Sequence, residues 1–290
     1  MSKIGFVGTG KMGSRILSRI MEKYNVEGVY NRTSDKLSQF NSLKHYGSPA
    51  LLAVDCNIVF IMLTDDAACN EVIFGEDGLV NGLKPKSIIV NLSTVSYAFS
   101  VSCAQALSAR SLYYLDCPVL GSVKPAEQGK LTALVSGDMD IFSIVKGVIE
   151  SFSSHVIYLG QSGNAIKGKL VNNMVMATNF IVASEALLFL QKNGFSKDTA
   201  LDILLNGGGS SRALESKVED IKTEDFIPEF TLNHIVKDIR YGQEMYNSVN
   251  FPMLSMSSPL QLYNIAESVG LGNLDYSAAY KSLRIFLGIK

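Results

Sequence analysis

IGFVGTGKMGSRI, residues 4–16, joins an apolar run of strand-forming residues to a helix-forming segment through three glycines. Gly8, Gly10 and Gly13 stand in G-x-G-x-x-G spacing. In that pattern the first glycine permits a tight turn, the second lets a pyrophosphate approach the backbone, and the third lets helix and strand pack closely. The helix start then offers unpaired N–H groups and a positive dipole end to an anion. A glycine-rich turn chosen only for close packing would read the same way, so the strand before and the helix after carry the argument. Thr9, Lys11 and Met12, which fill the turn, count with the glycines as candidate cofactor contacts.

The next strand end chooses between dinucleotides. An acidic residue there would hold the ribose 2′-hydroxyl of NAD. This chain instead reads YNRTS over residues 30–34, with no carboxylate before Asp35. Arg32 can pair with a 2′-phosphate through its planar fork, the hydroxyls of Thr33 and Ser34 can add hydrogen bonds, and Asn31 is a further candidate cofactor contact. NADP is therefore the expected cofactor, with NAD the alternative. A solvated surface arginine is the competing reading of Arg32.

Working outward, short apolar runs at residues 4–8, 27–30, 58–62, 88–91, 113–116, 132–136 and 156–159 alternate with helix-like segments at 12–23, 34–43, 67–73, 96–109 and 140–151. Runs such as IVFIML and SIIVNL show no polar alternation, as expected of strands buried on both faces of a parallel sheet. Beyond Gly163 the strand signal fades and helical periodicity takes over at 167–194, 197–205, 211–219, 232–248, 258–269 and 276–287. The expected fold is α/β. Residues 1–163 form a doubly wound, Rossmann-type dinucleotide-binding domain, and residues 164–290 an all-α domain for substrate and self-association, with a long helix joining the two.

A chain of 290 residues, 47% hydrophobic, has ample material for such cores, and a net charge of −1 gives no reason to expect nucleic acid or an acidic membrane surface as partner. Four scattered cysteines without a C-x-x-C pair, and three histidines, argue against a zinc site and a disulfide framework. The apolar stretch 170–190 is about long enough to cross a bilayer, but Asn172, Asn173, Asn179 and Glu185 are costly in lipid. A buried helix of a soluble, cytoplasmic protein is the expectation. The apolar helical half suggests a homodimer or homotetramer.

Lys169 and Asn173, four apart in GNAIKGKLVNNMVM, share one face of that helix. Reduction of a carbonyl requires a proton at oxygen, and a partly desolvated lysine can give it. The alternative is an ordinary helix-end lysine beside capping asparagines.

Together these motifs resemble the β-hydroxyacid dehydrogenase family, which includes 3-hydroxyisobutyrate dehydrogenases, tartronate semialdehyde reductases and glyoxylate/succinic semialdehyde reductases. The resemblance rests on GFVGTGKMG, NLSTV at 91–95, DCPVLGSVKPAEQGKL at 116–131, GNAIKGKLVNN, FTLNHIVKDIR at 230–240 and GLGNLDYSA near the end. It implies a catalytic role for Lys169 supported by Asn173, a substrate-carboxylate loop at Gly121 and Ser122, and Thr94 beside substrate and nicotinamide ribose. It further implies Leu63 and Thr64 at the cofactor, Lys237 reaching the cofactor, and Asp238 in the substrate pocket wall, where Ser210 and Phe230 are further candidates. Lys237 and Asp238 would otherwise read as a solvated pair.

The chain departs from the family in having Leu120 where a serine often stands, which removes a usual hydrogen bond to substrate. The following GSVKPAEQG is closer to the glyoxylate and succinic semialdehyde reductases. The implied activity is hydride transfer between NADP and a small hydroxy acid or its semialdehyde or 2-oxo acid partner. A 3-hydroxyisobutyrate dehydrogenase is the alternative, and a non-catalytic NADP-binding sensor or assembly module is the rival of another class. The 6-phosphogluconate type has a much larger helical domain, and imine reductases usually lack a lysine at position 169.

Overall fold

The computed structural model describes residues 3–289, which fall into two compact units dividing between Lys169 and Leu170. The first contains a six-stranded parallel sheet built from β1 (Ile4–Val7), β2 (Val26–Tyr30), β3 (Lys44–His45), β4 (Ile58–Ile61), β5 (Ile88–Asn91) and β6 (Tyr113–Asp116), in the order β3-β2-β1-β4-β5-β6. This is the order of a Rossmann sheet, with the chain reversing direction between β1 and β4. Every residue of β1, β4 and β5 is buried, which is why these segments tolerate no polar alternation.

The apolar runs at 132–136 and 156–159 do not extend that sheet. They form β8 (Leu131–Val135) and β9 (Ser153–Tyr158), which, with β7 (Val119–Leu120), make a separate three-stranded sheet. β7 and β8 are antiparallel and β8 and β9 parallel, so this small sheet is mixed.

The α-helices lying wholly within this unit are α1 (Lys11–Met21), α2 (Pro49–Asp55), α3 (Asp66–Phe74), α4 (Tyr97–Ser108), α5 (Val123–Glu127) and α6 (Met139–Phe152). Sequence periodicity did not anticipate β3, α2, β7 or α5, which are two to seven residues long and repeat their pattern at most about twice. The segment expected as a helix at 34–43 is instead a 3-10 helix over Ser34–Phe40. Local caps set most helix starts: Ser48, Asp65, Ser96 and Asp138 each accept a backbone N–H at the first turn of α2, α3, α4 and α6. α1 and α5 begin without a side-chain cap.

Helix α7 (Asn164–Lys192) is long and apolar enough to cross a membrane by length and composition, yet half of its most apolar window is buried within the structure, as in a core helix. The remainder of the second unit is α8 (Lys197–Asn206), α9 (Arg212–Glu215), α10 (Val218–Thr223), α11 (Leu232–Ser248), α12 (Ser257–Ala266) and α13 (Ala279–Phe286). The single helix expected at 211–219 is thus split into α9 and the start of α10. The core of this unit gathers Phe180, Leu187, Leu232, Ile235, Ile239, Tyr263 and Tyr280, all essentially inaccessible to water.

Candidate functional site

A parallel sheet brings the carboxyl ends of its strands to one edge, and the candidate residues of the first unit follow those ends. Gly8–Gly13 come after β1, Asn31–Thr33 after β2, Leu63 and Thr64 after β4, Thr94 after β5, and Gly121 and Ser122 after β6 and β7. Ligands of open α/β sheets bind at this edge, beside the point where strand order reverses.

The glycine turn separates packing from ligand space. A Cβ on Gly13 would stand 2.0 Å from the Gly8 carbonyl oxygen, and one on Gly8, whose φ is +95°, 2.2 Å from that of Met62. These two glycines are required by the protein itself. A Cβ on Gly10 would meet nothing within 4 Å. Packing therefore gives no reason for glycine there, whereas close approach of a pyrophosphate to the uncapped start of α1 does. The residues present fit a dinucleotide. Gly10→Ala is expected to leave the melting temperature unchanged and weaken NADPH binding by about tenfold or more, roughly 1.4 kcal/mol. Titration calorimetry beside a thermal melt checks this, and loss of stability without loss of affinity would refute it.

Asn31 is spent inside the protein: its Oδ1 accepts the Thr9 N–H at 2.9 Å and its Nδ2 donates to the Thr33 carbonyl at 2.8 Å. It braces the two loops against each other. Thr9 is buried and its hydroxyl lies 3.3 Å from the Lys36 carbonyl, while Met12 packs against the sheet core. Arg32 and Thr33 are exposed, and Arg32 forms no ion pair among the described residues.

After β4, the Leu63 N–H donates to Ser93 Oγ at 2.8 Å, and Thr64 Oγ1 donates to Asp65 at 2.9 Å. After β5, Asn91 Oδ1 accepts the Ser93 N–H, while Asp66 accepts both the N–H and the hydroxyl of Ser96, at 2.8 and 2.6 Å. Thr94, partly exposed, is therefore held between two anchored serines. Sequence reading missed Asn91, Ser93 and Asp66. The one available signal was a buried-strand pattern ending in polar residues.

Beyond β6 the chain turns through Gly121, at φ +123°, into Ser122, the residue before α5. The Ser122 hydroxyl makes no cap and no other hydrogen bond among the described residues. Lys169, on the first turns of α7, is partly exposed, and its Nζ donates to the Val119 carbonyl at 2.8 Å, two residues before Gly121. The ammonium and the loop expected to take a carboxylate thus belong to one hydrogen-bonded cluster.

In the second unit, Asn173 is buried and its Nδ2 donates to Asp238 Oδ2 at 2.7 Å. The other Asp238 oxygen lies 2.8 Å from Lys237 Nζ, an ion-pair contact rather than an aligned hydrogen bond. Lys237 also stands over the Tyr241 ring, 4.8 Å from its centroid. Asp238 is 1% exposed, so it is a buried carboxylate with two partners and not the solvated residue its local sequence suggested. Asn172 is exposed.

Other chemistries find little support. The four cysteines are free and buried, and burial pushes the thiols of Cys56, Cys103 and Cys117 up, Cys56 to about 12. Among the described residues no group of three or more His, Cys, Asp or Glu side chains could hold a metal. A concavity lined by Lys3, Asp55, Cys56, Asn57 and Ser87 opens at the opposite, amino-terminal edge of the sheet, away from the candidates that follow its strands.

Comparison with known proteins shows the family. A family model described as the NAD binding domain of 6-phosphogluconate dehydrogenase matches residues 3–160, and one described as NAD-binding of NADP-dependent 3-hydroxyisobutyrate dehydrogenase matches residues 162–283. Glyoxylate/succinic semialdehyde reductase 1 of Arabidopsis thaliana is 31% identical, over 97% of this chain and 98% of that protein. The cytokine-like nuclear factor N-PAC of Gallus gallus is also 31% identical, over 97% of this chain, but the chain spans only 51% of its length. Among solved structures, 3-hydroxyisobutyrate dehydrogenase from Salmonella typhimurium superposes with a TM-score of 0.88 at 24% identity, covering 97% of this chain and 99% of the other, which shows the shared fold. With a glycine turn built for a dinucleotide and matches that run through both units, the chain belongs to the β-hydroxyacid dehydrogenase family of NAD(P)-dependent oxidoreductases.

Proposed function

We propose that this protein is an NADP-preferring reductase of small semialdehydes or 2-oxo acids, of the glyoxylate and succinic semialdehyde kind, with Lys169 as proton donor. The observation that carries the reading is Lys169 Nζ held 2.8 Å from the Val119 carbonyl, at the root of the loop that ends in the uncommitted hydroxyl of Ser122. When bound, the nicotinamide supplies hydride chemistry. Gly8 to Gly13 receive the pyrophosphate, and Arg32, exposed just after β2, reads the 2′-phosphate. Gly121 and Ser122 hold the substrate carboxylate, Thr94 lies beside the substrate, and Lys169 gives its proton to the carbonyl oxygen. Asn173, one turn further along α7 and fixed by Asp238, supports the lysine. The resemblance also assigns Leu63, Thr64 and Lys237 to the cofactor. Buried free thiols suit a reducing compartment, in keeping with a cytoplasmic enzyme.

Arg32→Ser should reduce kcat/KM for NADPH by about 10–100-fold, matching loss of a charge-assisted hydrogen bond, with little change for NADH. An equal effect on both cofactors would remove Arg32 from this role.

The function itself is tested by following NADPH oxidation with glyoxylate, succinic semialdehyde, methylmalonate semialdehyde and tartronate semialdehyde, with NADH in parallel. Turnover of glyoxylate or succinic semialdehyde, faster with NADPH, supports the reading. Preference for methylmalonate semialdehyde would favour a 3-hydroxyisobutyrate dehydrogenase. NADPH binding without any turnover would favour a non-catalytic module, a reading motivated by similarity to proteins named as nuclear factors.

A further inference from the structure

We infer that Asp116 is a positioning residue for Lys169, its buried carboxylate tying the start of α7 to the end of β6 so that the lysine meets the Val119–Ser122 loop in a single orientation. This inference rests on the proposed role of Lys169.

Asp116 is 0% exposed. Its Oδ1 accepts the Ser100 hydroxyl of α4 at 2.7 Å, and its Oδ2 accepts the Ser136 hydroxyl at 3.0 Å and the Gly163 N–H at 2.7 Å. Ser136 Oγ in turn accepts the Ala165 N–H at 3.1 Å, and the backbones of Asp116 and Ser136 exchange two hydrogen bonds of 3.0 Å. Two amides at the start of α7 are therefore satisfied by a carboxylate–serine pair distant in sequence. Most other helices of this unit are capped by a neighbouring Ser or Asp, which ties a helix only to its own chain segment.

The same short segment holds α7 a second time. Three residues after Asp116, the Val119 carbonyl receives Lys169 Nζ. Attachment at Gly163 and again at Lys169 restrains both the height of the helix and its rotation about its own axis. A buried carboxylate carries a large desolvation cost, and burial raises the Asp116 pKa against the hydrogen bonds from Ser100, Gly163 and Ser136. Facing a helix N-terminus offsets part of that cost. Simple packing would be met by an apolar residue; three converging donors orient the helix as well.

The test compares Asp116→Ala, Asp116→Asn and Ser136→Ala. Two readouts are used: steady-state kinetics with NADPH affinity, and the rate of Lys169 acylation by acetic anhydride relative to exposed Lys146, resolved by mass spectrometry. Displacement of an acting group by about 1 Å costs on the order of 10²-fold in rate. Asp116→Ala should therefore lower kcat by about that factor, leave the NADPH Kd within about threefold, and raise the Lys169-to-Lys146 acylation ratio severalfold. Asp116→Asn keeps an acceptor for the Gly163 N–H and should recover most of both, with Ser136→Ala in between. Ser136→Ala removes one hydroxyl and serves if Asp116→Ala does not fold. A native acylation ratio in Asp116→Ala and Ser136→Ala overturns the inference. So does acylation of Lys169 and Lys146 rising together without rescue by Asp116→Asn, which marks general loosening. The acylation ratio needs no turnover, so a wild type inactive on every substrate refutes the proposed activity while this measurement still reports on Asp116.

Discussion

Lys169→Ala is expected to lower kcat by about 10²–10⁴-fold, the usual contribution of a positioned acid or base, with NADPH affinity nearly intact. Reduction leaves negative charge on the substrate oxygen, and unless a proton arrives as that charge develops, the oxyanion must form unassisted. Lys169 is the cationic donor hydrogen-bonded to the loop beyond β6, 2.8 Å from the Val119 carbonyl. Lys169→Arg sharpens the test. Arginine keeps the charge but does not release a proton at neutral pH, so a pure electrostatic role would survive it and a proton-donor role would not. Lys169 is held at the loop beyond β6, whereas the dinucleotide turn follows β1, which is why binding should persist. Undiminished turnover in Lys169→Ala would remove the lysine from the mechanism altogether.

Lys217→Met should destabilise the helical unit by about 3–5 kcal/mol, as expected when one partner of a buried pair is removed. The Lys217 side chain is 6% exposed, and its Nζ lies 3.0 Å from Asp275 Oδ1 and 3.3 Å from Asp220 Oδ2, while the Asp275 side chain is fully buried. Asp275 also accepts the backbone N–H groups of Glu229, Phe230 and Ser277. Its charge thereby fixes the turn that leads into α11. Without the lysine that charge stays buried and uncompensated. The loss corresponds to a melting point lower by about 10 °C or more, readable by calorimetry. Adding Asp275→Asn, which removes the charge and keeps an acceptor, should restore part of it.

The pair also sets a pH dependence. Burial pulls the Lys217 pKa down, but the Asp275 charge and hydrogen bond, with the charges of Asp220 and Glu229, leave it above the ordinary 10.5. A pKa raised in the folded state contributes stability that is fully present below the unfolded value and lost as pH rises through the folded one. The wild type should therefore lose stability on the alkaline side in a step that Lys217→Met lacks. A step of equal size in both proteins would assign it to other groups.

How much of this was legible beforehand follows from the range of the interactions. The Gly8, Gly10 and Gly13 spacing, the unbroken apolar strands and the change to helical periodicity after Gly163 are local, and each is imposed by backbone sterics or by burial of a single element. They were enough for a Rossmann sheet followed by helices. Periodicity alone could not show that residues 131–135 and 153–158 leave the main sheet, because an apolar strand reads the same in either place. Family resemblance pointed to Lys169 and Asp238, but their burial and partners were not in the pattern. Asp116 reaches Gly163 across 47 residues, and Asn173 reaches Asp238 across 65.

The sequence by itself determined the longer strands and helices, the buried parallel character of the main sheet and the dinucleotide turn, since these are set by patterns within single elements. Only the tertiary structure decided which carboxylates are buried and what they hold. An Asp or a Ser has the same local signature in solvent as in a core, and its energy depends on donors that folding brings from distant segments.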